Sequence, residues 1–102
     1  MLTGKQKRFL RALGHNLKPF INVGKSEVSE ALIKETSIAL ESHELIKVKL
    51  LESCIMDRNE VAGLLAEGCT ADVAQVLGRT ILLYRQAKEP KLELPKESKM
   101  KN

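Results

Sequence analysis

The sequence predicts an α/β (α+β) domain of order α-β-α-β-α-β-β, a four-stranded mixed sheet covered by helices. Three observations predict it. Apolar residues recur at helical spacing in three separate stretches. Short β-branched or strictly alternating runs fall between those stretches. At the end of the globular part, DVAQVL and TILLYR are separated by Gly78-Arg79 alone, which reads as a hairpin. With 102 residues, 43% of them apolar, the chain has the size and core of one domain.

The first helix starts at Thr3, whose hydroxyl caps the backbone while Gln6 reaches back to it. Phe9, Leu10, Leu13 and Leu17 fall at helical spacing and are expected to face the core, with Gly14 and Asn16 as stop signals. The segment PFINV, residues 19–23, is short, apolar and β-branched, and reads as a buried strand ended by Gly24. Ser26 is the expected cap of a second helix, with Glu27 and Glu30 in its first turn. That helix runs to about Ser42 and buries Ala31, Leu32, Ala39 and Leu40. In LIKVKLL, Ile46, Val48 and Leu50 alternate with Lys47 and Lys49, so one face is core and the other carries a lysine pair. A third helix over Asp57–Glu67 buries Val61, Leu64 and Leu65, with Gly68 as its C-terminal cap. A strand–helix–strand unit lays its strands parallel, whereas the final hairpin is antiparallel, so the sheet is mixed. Residues 1–86 form the domain. Residues 87–102, rich in Lys and Pro, are expected to be a flexible tail.

Composition excludes several classes. No apolar run approaches the roughly 18–20 residues that cross a bilayer, and the N-terminus MLTGKQKRFLRAL is no secretory signal. A soluble, cytoplasmic protein without a membrane partner is expected. Cys54 and Cys69 lack CxxC spacing and nearby histidine pairs, so two reduced thiols and no metal are expected. His15 and His43 have no serine or cysteine partner at motif spacing, and there is no GxxxxGK[ST] phosphate cradle. The carboxylates Glu30, Glu35, Glu41 and Glu44 read as a solvated helix face. No catalytic residue, cofactor or small-molecule substrate is expected, and the chain is not read as an enzyme.

The charge distribution is more informative than the net +4. Residues 1–25 carry Lys5, Lys7, Arg8, Arg11, Lys18 and Lys25 with no acid, a charge of +6. Residues 26–85 sum to −4 and residues 86–102 to +2. A positive pole on a mildly acidic body favours a polyanion such as nucleic acid, against the alternative of an ordinary solvated face. Phe9, Phe20 and Tyr84 are the three aromatics and Trp is absent, which excludes gripping bases by several exposed rings. Where the first strand ends, Gly24 permits close backbone approach, Lys25 supplies charge, and the N–H groups of a helix start are free to donate to a phosphate oxygen.

The stretches LTGKQKRFLRALGHNLKPFINVGK (2–25), HELIKVKLL (43–51) and VLGRTILLYR (76–85) resemble the bacterial stand-alone CRM domain. This is the chloroplast RNA splicing and ribosome maturation family, whose one-domain members are the YhbY-like proteins. The resemblance implies a fold similar to the C-terminal domain of translation initiation factor three. It also implies an RNA-binding protein that attaches to rRNA in precursors of the large ribosomal subunit, and a cytoplasmic monomer is expected. It places RNA contacts on a G-x-x-G loop between first strand and second helix, here Gly24, Lys25 and Ser26, comparable with the backbone clamp of KH domains. Glu27 stands where the second glycine is usual, so more of the binding is expected from the basic helix. Lys47 and Lys49 either extend the basic surface or protect an outward strand face, and Arg79 in the hairpin turn is within reach of RNA. The alternatives are a protein-interaction module with a basic docking helix and a translation factor on the small subunit.

Overall fold

The computed structural model describes residues 2–25 and 28–95. Its elements follow the expected order: α1 (Gly4–Gly14), β1 (Pro19–Val23), α2 (Glu30–His43), β2 (Leu45–Leu50), α3 (Arg58–Cys69), β3 (Asp72–Leu77) and β4 (Thr80–Tyr84). The capping box of α1 is formed: Gln6 N–H donates to Thr3 Oγ1 at 3.1 Å and Thr3 N–H to Gln6 Oε1 at 3.0 Å.

The sheet order is β1-β2-β4-β3. β1 lies parallel to β2, with Ile21 opposite Val48 and Val23 opposite Leu50. β4 pairs antiparallel with both β2 and β3, so the last strand of the chain is inserted between them. Gly78 turns this hairpin at φ 59°, a conformation that costs a residue without a Cβ least. On one sheet face, Ile21, Val23, Ile46, Val48, Ile81 and Leu83 pack against Ala39 and Leu40 of α2 and Val61 and Leu65 of α3. On the other, Leu45, Ala74, Leu82 and Tyr84 pack against Leu10 of α1, joined by Leu2, Leu92 and Leu94.

Several expectations are corrected. Leu13 and Leu17 are more than a third exposed, because α1 meets the sheet along the row Leu10–Gly14. A Cβ added to Gly14 would stand 2.7 Å from Leu82 Cδ1, so its absence sets how near the helix lies. Phe20 is 55% exposed in a strand expected to be buried throughout, since only Ile21 and Val23 of β1 turn to the core. The N-cap of α2 is Ser29, whose Oγ accepts from Leu32 N–H at 3.1 Å, in place of Ser26. Ser26 and Glu27 lie outside the described residues. Ala31 is exposed, and the buried row of α2 is Thr36, Ala39 and Leu40. Helix α3 continues through Gly68 and is capped by Thr70 in the left-handed region at φ 54°. Inside it, Gly68 admits Ile33, whose Cδ1 would be 2.8 Å from an added Cβ. Leu64 is 39% exposed, and Val61, Ala62, Leu65 and Cys69 form the buried side.

The largest difference is at Glu44. Expected on a solvated face, it is fully buried, and it ends α2 with φ 66°. Its Oε2 accepts from Ala87 N–H at 2.7 Å, and its Oε1 accepts from Lys91 and Leu92 N–H at 2.9 and 2.7 Å. The segment 87–95, expected to belong to a flexible tail, is therefore held against the sheet. Ala87 is buried, Leu92 and Leu94 join the core, and Pro95 C=O accepts from Gln6 Nε2. Burial alone would raise the Glu44 pKa. The three backbone donors and the Lys91 charge outweigh it, so its pKa lies below the ordinary carboxylate value. Residues 96–102 lie outside the described part.

Candidate nucleic-acid interface

Helix α1 gathers like charges on itself. Its first turn carries no acid, whereas Glu30 and Glu60 occupy the first turns of α2 and α3. Lys5, Arg8 and Arg11 follow one another at spacings of three on the arc away from Leu10, and Lys7, four residues before Arg11, borders the buried row of Leu10 and Gly14. Lys5 in the first turn opposes the helix dipole and Arg11 in the last turn is favoured by it, while like charges at this spacing repel by about a few tenths of a kcal/mol per pair. The core does not require this arrangement: Lys5, Arg8 and Arg11 are exposed and Lys7 is half-buried.

The sheet extends that surface. Leu45 of β2 packs on the α1 side, and alternation puts Lys47 and Lys49 on the same face. Lys47 is half-buried opposite Leu82, the residue beneath Gly14, and Lys49 is exposed opposite Thr80. Exposed Lys18 shares a hollow with Lys47. At the end of β1, Gly24 and exposed Lys25 follow Val23, whose partner Leu50 is next to Lys49. Eight of the expected contact residues are thus distributed over α1, the sheet face beside it and the β1 end. Among the described residues the ion pair within 4 Å is Arg85–Glu41, so the cations on this face are free of carboxylates there.

Gly24 and Arg79 are placed differently, as is the helix start expected after Lys25, and Ser26 lies outside the described residues. Gly24 is half-buried, and a Cβ on it would lie 3.2 Å from Ser53 Oγ, so its small size serves packing between the β1 and β2 ends. The helix start expected directly after Lys25 stands at Glu30, which separates the lysine from the first-turn N–H groups of α2. Arg79 spends its donors on the chain itself: Nε donates to Leu50 C=O at 3.1 Å, and Nη2 to the carbonyls of Leu51 and Cys54. It ties the loop after β2 to the β3–β4 hairpin.

The opposite side differs in chemistry. Exposed Glu30, Glu35, Glu41, Glu60 and Glu67 lie on α2 and α3, on the far face of the sheet. Arg85 braces that side, donating to Ser37 Oγ and C=O and to Cys69 C=O at 2.8–2.9 Å. Cys54 and Cys69 are free and buried. Burial pushes the Cys69 thiol pKa up against the opposing charge of Arg85, which keeps it protonated and unreactive near neutrality. Among the described residues no group of three His, Cys, Asp or Glu could hold a metal.

Residues 2–85 match the CRS1 / YhbY (CRM) domain. YqeI of Bacillus subtilis, named a probable RNA-binding protein, is 50% identical over 96 residues, covering 93% of this chain and 100% of that protein. A probable RNA-binding protein of Methanocaldococcus jannaschii is 42% identical, covering 97% of this chain and 81% of the relative. The solution structure of a Staphylococcus aureus protein, provisionally described as RNA-binding, superposes with a TM-score of 0.80 at 46% identity. It covers 93% of this chain and 100% of that one.

Proposed function

This chain belongs to the CRS1 / YhbY (CRM) domain family, and from that premise we propose that it is a non-enzymatic RNA-binding protein. The observation that carries the proposal is the α1 cluster of Lys5, Lys7, Arg8 and Arg11, four cations at mutually repelling spacings with no acid in the first turn, continued by Lys47, Lys49 and Lys18. Phosphates repay what such a helix loses, because each contact releases counterions. Backbone contacts of this kind position an RNA and carry little sequence information. Lys25, next to the close-packed Gly24, extends the contact to the end of β1. Ser26 completes the loop in sequence, and Arg79 acts by holding the adjoining loop in place.

The RNA is rRNA in precursors of the large ribosomal subunit, bound by a cytoplasmic monomer acting in assembly. The test is sedimentation of a lysate through a sucrose gradient, with parallel runs at raised salt and after nuclease. The protein should migrate with particles just lighter than the mature large subunit and leave them on either treatment. Migration in a nuclease-resistant complex would favour a protein-docking role for the basic helix. Migration with the small subunit would favour a translation factor.

A further inference from the structure

Phe20 is an anomaly in this fold: a large aromatic, 55% exposed, on edge strand β1. Its ring meets that of His43, the last residue of α2, edge to face with centroids 4.7 Å apart. This pair is a wall between two hollows. One, of about 290 Å³, has Leu17, Leu45 and Ile46 as its apolar lining and Lys18 and Lys47 as its charges. The other, of about 380 Å³, lies along α2 over Ala31, Ile38 and Ala39, with Lys34 and Glu35 beside it.

We propose that the Phe20–His43 pair is a nucleobase site: an unpaired base of single-stranded RNA stacks on Phe20 in the smaller hollow while its phosphates meet Lys18 and Lys47. The inference rests on the RNA-binding reading and adds a base contact to what is otherwise a backbone-binding surface. Charge complementarity selects the occupant. The smaller hollow carries two lysines and no carboxylate in its lining, which suits an apolar ring with an anionic backbone. Its volume, about 290 Å³, falls at the low end of ligand pockets and leaves room for one base with its sugar. Stacking on a single ring is tolerant of sequence because every base has a π-face. The second hollow, on the other side of the same ring pair, offers the strand a continuation toward Lys34.

The experiment uses the full chain and fluorescence anisotropy with two labelled probes, oligoadenosine of about ten nucleotides and an abasic strand of the same length. Phe20→Ala should weaken oligoadenosine binding about tenfold and leave the abasic strand within about twofold. Phe20→Trp should restore the affinity. Phe20→Leu keeps an apolar side chain without the π-face and should lose nearly as much as Phe20→Ala; circular dichroism verifies that each variant is folded. Equal weakening of both probes, or no dependence on Phe20, overturns the base site and leaves the hollow to another occupant such as a peptide. If wild type binds neither probe, the RNA-binding reading falls as well, so the two failures are distinguishable.

Discussion

At the scale of single residues, Glu44 couples stability to pH. Its carboxyl pKa is lowered in the folded protein, so the unfolded chain takes up the proton first. The stabilisation is complete above the ordinary glutamate value and is lost as pH falls through the lower, folded value. Glu44→Gln should cost on the order of 3 kcal/mol in urea unfolding at neutral pH, because an amide supplies donors where three N–H groups need acceptors. The gap between variant and wild type should narrow in acid; a constant gap from about pH 7 to about 3 would refute this role. None of it was legible locally. Glu44 is one of four carboxylates in a helical stretch, and its donors lie 43–48 residues further along the chain. Phe20 was hidden for a related reason: in a short apolar run, composition does not separate an edge strand's open face from its covered one.

At the scale of elements, the sequence was most readable where the deciding contacts are local. The α1 capping box is complete within four residues, and the alternation of Ile46, Val48 and Leu50 with two lysines places β2 without reference to any partner. Helix ends were less readable. Ser26 and Ser29 are both capable caps, and the choice between them depends on how the loop after β1 meets the rest of the fold. Gly68 carries a stop signal but is interior to α3, where its missing side chain admits Ile33. Two glycines of the same helix should therefore respond oppositely. Gly63→Ala faces open space and should raise stability by about 1 kcal/mol, while Gly68→Ala, forced against Ile33, should lower it. Thermal unfolding of the two variants checks both signs, and a gain at Gly68 would contradict the close packing of α2 on α3.

At the scale of the molecule, the sheet separates two electrostatic regimes, cations with α1 on one face and carboxylates with α2 and α3 on the other. The asymmetry of charge along the chain was visible in the sequence. That Lys47 and Lys49 join α1 in space follows only from the strand register. If about five phosphates are neutralised on single-stranded RNA, log affinity should fall with log salt at a slope of about −3.5. Replacing Lys5, Lys7, Arg8 and Arg11 together by Gln should flatten that slope by about half or more, whereas Glu30→Gln and Glu60→Gln on the far face should leave it unchanged. A slope near zero in wild type would exclude a phosphate-driven mechanism.

The clip at Glu44 also bears on where this protein can be cut. The match to the CRM domain ends at residue 85, although YqeI aligns over 93% of the chain, and the donors that satisfy the buried carboxylate begin at Ala87. A fragment trimmed to the matched domain would keep the charge and discard its partners. The contacts that satisfy Glu44 extend to Leu92, and Pro95 adds a bond to Gln6. An expression boundary drawn at residue 85 would yield a weakened domain, and its poor binding would reflect the missing clip rather than the RNA surface.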